Sequence, residues 1–240
     1  NQKTIIALIT DFGNDYVYVG AVKGAILSRN RDVEIVDISH GVQSYSIINA
    51  QFILFSSFRH FPVGTIFYII IDPGVGTRRR ALIAREGDFH FVAPDNGILD
   101  AALSNEAEIF AIREDRFINV SPTFHGRDIF APIAAMLAMG VPAEDLGMPF
   151  YDRLRKPFPQ YLTQGNRAEG MVVHVDKFGN VITSFPNAVL ENKNCVVESP
   201  GVRFPAKICR TFADLGDGEA GIMKGSAGLV ELAKNCDSLA

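Results

Sequence analysis

Two uninterrupted apolar runs constrain this chain more than any other feature: TIIALI over 4–9 and TIFYIII over 65–71, with Asp11 and Asp72 just beyond them. Runs without polar alternation belong to strands buried on both faces, the condition of a parallel sheet covered by helices. Between them the spacing predicts a helix over 16–28, a strand over 33–36 and a helix over 46–58. This βαβαβ rhythm gives an α/β expectation: a mainly parallel sheet with helices on both faces and a site built from loops at the strands' carboxyl ends.

Downstream, apolar runs over 81–84 and 89–92 flank Glu86-Gly87-Asp88 and read as a hairpin, followed by a turn at Pro94-Asp95-Asn96-Gly97. Asp128 is suited to cap a helix over 129–139, with Pro132 in its first turn and Gly140 ending it. From 153 to 165 (RLRKPFPQYLTQG) prolines and polar residues break the periodicity, which places a boundary there. The expected division is an N-terminal α/β domain over 1–155, a linker over 156–165 and a C-terminal domain over 166–240. Short β-like runs over 170–175, 181–185, 195–198, 202–208, 220–223 and 229–232 make the second a small all-β, barrel-like domain.

Composition excludes several classes. With 48% hydrophobic and 21% charged residues the chain is globular rather than disordered. Its 23 basic against 27 acidic residues leave a net charge of -4, without the basic excess that phosphate backbones require, so no nucleic-acid partner is expected. The longest uncharged, mostly apolar stretch, 129–143, is broken by two prolines and is shorter than the roughly 18 to 20 residues that span a bilayer, so no membrane partner is expected. Cys195, Cys209 and Cys236 show no CxxC pairing, and the five histidines lack metal-helix spacing; neither a disulfide framework nor a metal is expected. A reducing, cytoplasmic compartment fits, although a chain beginning at Asn1 without Met leaves room for a removed upstream segment.

Three segments carry candidate chemistry. Asp72-Pro73-Gly74-Val75-Gly76-Thr77 leaves a buried strand ahead of Arg78, Arg79 and Arg80. It reads either as a strand-end carboxylate oriented by a guanidinium or as a β-turn before a solvated basic cluster. A phosphate loop is the weaker reading, because the full dinucleotide fingerprint is absent. Phe124-His125-Gly126-Arg127-Asp128 places a histidine just before a helix start, where orphan N–H groups and an imidazole could jointly hold a polar ligand. Asp176-Lys177-Phe178-Gly179-Asn180 is either a hairpin turn or an aromatic platform, since a turn-tip phenylalanine is costly in water unless it packs on something planar.

As an ordered set these segments become specific. TDFG at Asp11, ISH at Ile38, DPGVGT at Asp72, APDNG at Ala93, FHGRD at Phe124, DKFGN at Asp176 and GSAGLVELAKN at Gly225 resemble the S-adenosyl-L-methionine (SAM) hydrolases, also called SAM hydroxide adenosyltransferases, over nearly the whole chain. These are relatives of the fluorinating and chlorinating SAM enzymes. The resemblance implies hydrolysis of SAM to adenosine and L-methionine by in-line attack of water on ribose C5′, with no metal and no cofactor. A trialkyl sulfonium is already an activated leaving group, so orienting and partly deprotonating one water suffices.

By motif match the implied catalytic set is Asp72, Arg79 and His125, with Asp72 polarising the water, Arg79 positioning Asp72, and His125 bonding the water or the Asp–Arg pair. Asp11 would accept from the ribose hydroxyls and Tyr45 would line the ribose. Phe178 would stack near adenine, Asn180 would meet a purine edge, and Asp176 and Ser226, with Glu231, would hold the methionine ammonium. The halogenating relatives look different, with tyrosine in place of Asp72 and Tyr-Ser in place of His125-Gly126. Two departures stand out: Tyr16, beside Asp15, occupies a position that is often acidic in the family, and Ala227 offers no cation for the methionine carboxylate. The resemblance also implies a homotrimer whose subunits share each site. The competing functions are a SAM-dependent 5′-halogenase and a non-catalytic adenosine- or SAM-binding protein.

Overall fold

The computed structural model describes residues 2–13, 17–190 and 195–234, so Asp15, Tyr16 and Cys236 lie outside the described residues. The chain divides into two compact units, Asn1–Pro157 and Phe158–Ala240.

In the first unit both apolar runs are interior strands. β1 (Thr4–Thr10) lies between β2 (Val33–Ser39) and β3 (Ile66–Ile70), parallel to each. β5 (Phe89–Pro94) continues the parallel half beside β3, and the expected hairpin joins β5 to β4 (Ala81–Glu86). β6 (Glu108–Ile112) and β7 (Gly147–Pro149) extend the antiparallel half, giving the order β2-β1-β3-β5-β4-β6-β7. Parallel pairing thus covers β2, β1, β3 and β5, and the hairpin from β5 to β4 begins the antiparallel half.

Strand alternation explains the two covered faces. Ile6 and Leu8 of β1 and Ile66, Tyr68 and Ile70 of β3 enter one buried cluster with Val22 and Ile26 of α1 (Val17–Arg29) and with Ile133, Ala134 and Leu137 of a later helix. The opposite face carries Phe67 and Phe91, stacked with centroids 5.1 Å apart and capped edge-on by Phe58. Phe58 closes α2 (Ile47–Ser57), which begins where the Ser46 hydroxyl accepts from the Asn49 N–H. Burying one Phe or Leu side chain contributes roughly 1.5–3 kcal/mol, so these layers hold the loops above them rigidly.

The later helix corrects one expectation. α3 spans Ala131–Ala138, and a π-helical turn over Gly126–Phe130 precedes it, so Asp128 lies inside the helical stretch rather than at its cap. Its carboxylate is engaged elsewhere: Asp128 accepts from the Ser121 N–H at 2.8 Å and from the Arg127 guanidinium. Pro132 does stand in the first turn of α3, and Gly140, at φ 83°, follows its end.

The stretch 153–157 is tied to the first unit. Asp100, 4% exposed, accepts from the Arg153 guanidinium and the Lys156 N–H, and Asp95 accepts from the Leu154 N–H. The second unit starts with a hairpin that the composition did not reveal, β8 (Leu162–Gln164) with β9 (Arg167–Glu169). Six further strands follow: β10 (Val172–Val175), β11 (Val181–Pro186), β12 (Cys195–Ser199), β13 (Val202–Cys209), β14 (Ala220–Lys224) and β15 (Leu229–Lys234). They form one curled, half-barrel sheet, β10-β11-β15-β14-β13-β12, antiparallel except between β13 and β14. Val181, Ile222, Val230 and Leu232 line its inner face with Phe185 and Phe204. Among the described residues, no helix is long and apolar enough to cross a membrane.

Candidate active site

Because β1, β2 and β3 run in parallel, their carboxyl ends share one edge. Ile9 pairs with Ser39 and Thr10 with Ile70, which places Asp11, His40 and Asp72 together on that edge. The strand order reverses direction at β1, the place where open α/β sheets form ligand crevices. A pocket is present there, and its lining includes Asp11, Tyr45, Asp72, Phe124, His125 and Gly126.

Arg79 organises its floor. The Nε donates to both Asp72 oxygens, at 3.0 and 3.1 Å, and Nη2 donates to Oδ2 at 2.6 Å. Nη2 also lies 2.9 Å from His125 Nδ1. Arginine has no acceptor, so Nδ1 must be the unprotonated nitrogen and the proton sits on Nε2. The side chains of Asp72 and Arg79 are only 7% and 9% exposed, so water screens this pair weakly. Phe130 lies under the guanidinium, whose carbon is 5.3 Å from the ring centroid, and Glu114 approaches Nη1 at 3.9 Å. Burial, then the Arg79 charge, holds the His125 pKa below its ordinary value, which agrees with the neutral tautomer.

The pocket's other wall is preorganised as well. Asp11 Oδ2 accepts from the Tyr45 N–H at 3.0 Å, and Tyr45 stands at φ 62°, a left-handed conformation costing a non-glycine residue about 1 kcal/mol or more. Tyr45 is 70% exposed, with its ring uncovered. Phe12, Tyr18 and Phe124 meet at centroid distances of 6.2, 5.9 and 5.2 Å, an aromatic cluster beside the carboxylates.

The remaining predicted residues belong to the second unit. In the turn between β10 and β11, Asp176 accepts from the Phe178 and Asn180 N–H groups and from the Asn180 amide, the hairpin role that the sequence equally allowed. Burial raises the Asp176 pKa, but these hydrogen bonds outweigh it and hold the carboxyl below the usual range. Phe178 is 67% exposed at the tip, with Lys177 Nζ 4.9 Å from its centroid. Glu231, on β15, folds over Gly225 and leaves no room there for a Cβ, while exposed Ser226 follows in the same turn. Burial, then the Asp176 charge, pushes the Glu231 pKa up, which puts the two carboxyls within electrostatic reach.

The structure therefore brings Asp72, Arg79 and His125 into one hydrogen-bonded chain with Asp11 and Tyr45 on the same pocket, and gathers Asp176, Asn180 and Glu231 in the second unit. Sequence reading missed Tyr18, Ser44, Thr123 and Glu114, which carry no local signal and reach the site only through the fold. Among the described residues, no three His, Cys, Asp or Glu side chains converge as metal ligands.

Comparison with known proteins assigns the lineage. The SAM hydroxide adenosyltransferase N-terminal domain model matches residues 6–147 and the corresponding C-terminal domain model matches 170–240. The (R)-S-adenosyl-L-methionine hydrolase of Thermus thermophilus is 35% identical over 96% of this chain and 91% of its own. Fluorinases are more distant, that of Actinopolyspora mzabensis being 27% identical over the whole of this chain and 93% of its own. The crystal structure of an uncharacterized conserved protein from Thermotoga maritima superimposes with a TM-score of 0.89 at 35% identity, covering 98% of this chain and 94% of that one. On both domain models and this extent of similarity, the chain belongs to the SAM hydroxide adenosyltransferase family.

Proposed function

We propose that this protein hydrolyses S-adenosyl-L-methionine to adenosine and L-methionine, Asp72, Arg79 and His125 directing one water at ribose C5′. The observation that carries this reading is the Asp72–Arg79–His125 chain. Arg79 is permanently protonated, His125 Nδ1 is occupied by Arg79, and His125 Nε2 bears a hydrogen, so the free lone pairs facing the pocket belong to Asp72. The water oxygen bonds to C5′ as the C5′–S bond breaks, its electrons neutralise the sulfonium to the methionine thioether, and Asp72 accepts the water's proton. No metal or cofactor is needed, since the leaving group already carries the positive charge. A carboxylate at this position also repels halide and favours water.

Asp11 receives the ribose hydroxyls beside Tyr45. Phe178 and Asn180 serve the adenine, and Asp176, Ser226 and Glu231 the methionine ammonium. The protein works as a homotrimer whose subunits share each site; the uncovered rings of Tyr45 and Phe178 support this. Among the described residues, the free thiol of Cys209 fits a reducing cytoplasm.

Chromatography of SAM incubated with the protein, with and without chloride, tests the assignment. Equal adenosine and methionine independent of chloride are expected, faster from the (R) sulfonium epimer that the Thermus relative's name specifies. Formation of 5′-chloro-5′-deoxyadenosine would instead identify a halogenase, and the absence of any product a nucleoside-binding protein.

The pH profile follows from His125. Protonation would set a second N–H against Arg79 Nη2, so kcat/KM should hold level through the ordinary histidine pKa of 6.5 and fall only at more acid pH. Stability carries the same sign. A depressed histidine pKa leaves the unfolded chain binding more protons, so stability is lost as pH falls from 6.5 towards the folded-state value and levels off below it. An acid limb above 6.5 would contradict the neutral tautomer.

A further inference from the structure

Behind the pocket, a line of side chains runs from the surface to the residue beside Asp11. Lys23 donates to Asp37 Oδ2 at 2.6 Å, and His40 Nδ1 lies 2.8 Å from Thr10 Oγ1. His40 Nε2 lies 3.0 Å from Asp37 Oδ1, an electrostatic contact bent away from a full hydrogen bond. Thr10 Oγ1 also accepts from the Phe12 N–H, Gly13 N–H donates to the His40 carbonyl at 2.8 Å, and Val42 N–H donates to the Thr10 carbonyl.

The directions can be assigned. The Asp37 carboxylate favours the proton on Nε2, so the Thr10 hydroxyl donates to an unprotonated Nδ1. Acid, imidazole and hydroxyl stand in the order of a nucleophile relay. With Thr10 only 1% and His40 only 5% exposed, however, that hydroxyl has no access to a substrate. The arrangement holds the neighbours of Asp11 instead: Thr10 before it and Phe12 after it are both bound to this network. Asp11 in turn accepts the N–H of Tyr45, whose left-handed backbone needs a fixed partner.

We propose that His40 is a positioning residue which, through Thr10, sets the Asp11 carboxylate and the Tyr45 backbone for the ribose. This rests on the reading of Asp11 as a ribose ligand. The network touches the ends of β1 and β2, whereas Asp72, Arg79 and His125 are held by the loops beyond β3 and before α3. Its loss should therefore weaken binding and spare the chemical step.

Adenosine calorimetry and SAM kinetics on wild type and four variants test this. His40→Ala and Thr10→Val should each raise the adenosine Kd and the SAM KM about tenfold, the equivalent of one lost hydrogen bond, with kcat within about twofold. His40→Asn keeps an acceptor where Nδ1 stands and Thr10→Ser keeps the hydroxyl, so both should stay within about threefold of wild type. Assays run below each variant's thermal midpoint, because a partly unfolded sample loses kcat and leaves KM unmoved. Loss of kcat at constant KM in folded His40→Ala, or failure of the Asn and Ser variants to differ from Ala and Val, would overturn the inference. Wild type binding adenosine with all four variants unchanged would overturn it alone; wild type failing to bind adenosine would overturn the ribose reading on which it rests.

Discussion

Asp72→Asn and Arg79→Met should both stop turnover, lowering kcat/KM by about 10²- to 10⁴-fold, and both should unfold more readily, since each leaves a buried charge without its partner. The asparagine keeps the shape of the carboxylate while being unable to take the water's proton. The methionine keeps much of the volume beside Phe130 but removes every donor to Asp72 and the one to His125 Nδ1. A carboxylate 7% exposed would then remain buried without its partner, at a cost of about 3–5 kcal/mol. At roughly 2–4 °C per kcal/mol for a chain of this size, that lowers the thermal midpoint by about 6–20 °C. Arg79→Lys separates the two effects. It restores a positive charge, and hence much of the stability, but a point charge cannot bridge both Asp72 oxygens and His125, so activity should stay near that of Arg79→Met. Thermal unfolding and single-turnover SAM hydrolysis read these out. Activity within tenfold of wild type in either Asp72→Asn or Arg79→Met would remove the triad from the mechanism.

How far the site could be read from sequence depended on whether its cause was local. β1 and β3 were legible because apolar runs without alternation mean burial on two faces, and α2 because its apolar residues recur at helical spacing. The hairpin of β4 and β5 announced itself through Glu86-Gly87-Asp88. β6 and β7 did not, being short strands with exposed members whose pairing comes only from the sheet they join. The π-helical turn before α3 carries Asp128, whose carboxylate is bound by the Ser121 N–H, a contact made through folding rather than propensity. In the site, the ordered motifs pointed to Arg79 by resemblance, whereas local sequence gives no physical reason to prefer it over its neighbours Arg78 and Arg80. Only the fold turns Arg79 inward and leaves Arg78 and Arg80 exposed. Likewise nothing near His40 in sequence shows that its ring meets Thr10, thirty residues away.

Gly126→Ala should cost both stability and rate, for a reason that lies on the neighbouring strand. A Cβ at 126 would come 2.8 Å from the Tyr68 hydroxyl and 3.5 Å from Phe12 Cζ and Phe124 Cε2. Tyr68 cannot yield: it is 0% exposed in the cluster formed by β1, β3, α1 and α3. Overpacking of this kind costs about 1–3 kcal/mol. Because His125 precedes the glycine, relief of the clash shifts the imidazole against Arg79, and a displacement approaching 1 Å is worth up to about 10²-fold in rate. The Tyr68 hydroxyl has no hydrogen-bond partner among the described residues, and burial, then the Asp72 charge, holds its pKa well above the ordinary value. Tyr68→Phe should therefore be nearly neutral or slightly stabilising on its own, since it removes an unsatisfied polar atom. In the Tyr68→Phe background the alanine gains the space of one oxygen, and the double variant should recover at least about 1 kcal/mol relative to additive behaviour. A serine at 126, which the resemblance assigns to the halogenating relatives, needs the same space. Tyr68 thus makes glycine obligatory beside His125 and keeps a hydroxyl out of that wall of the pocket. Additive effects of the two substitutions on midpoint and rate would show that the glycine is required for some reason other than Tyr68.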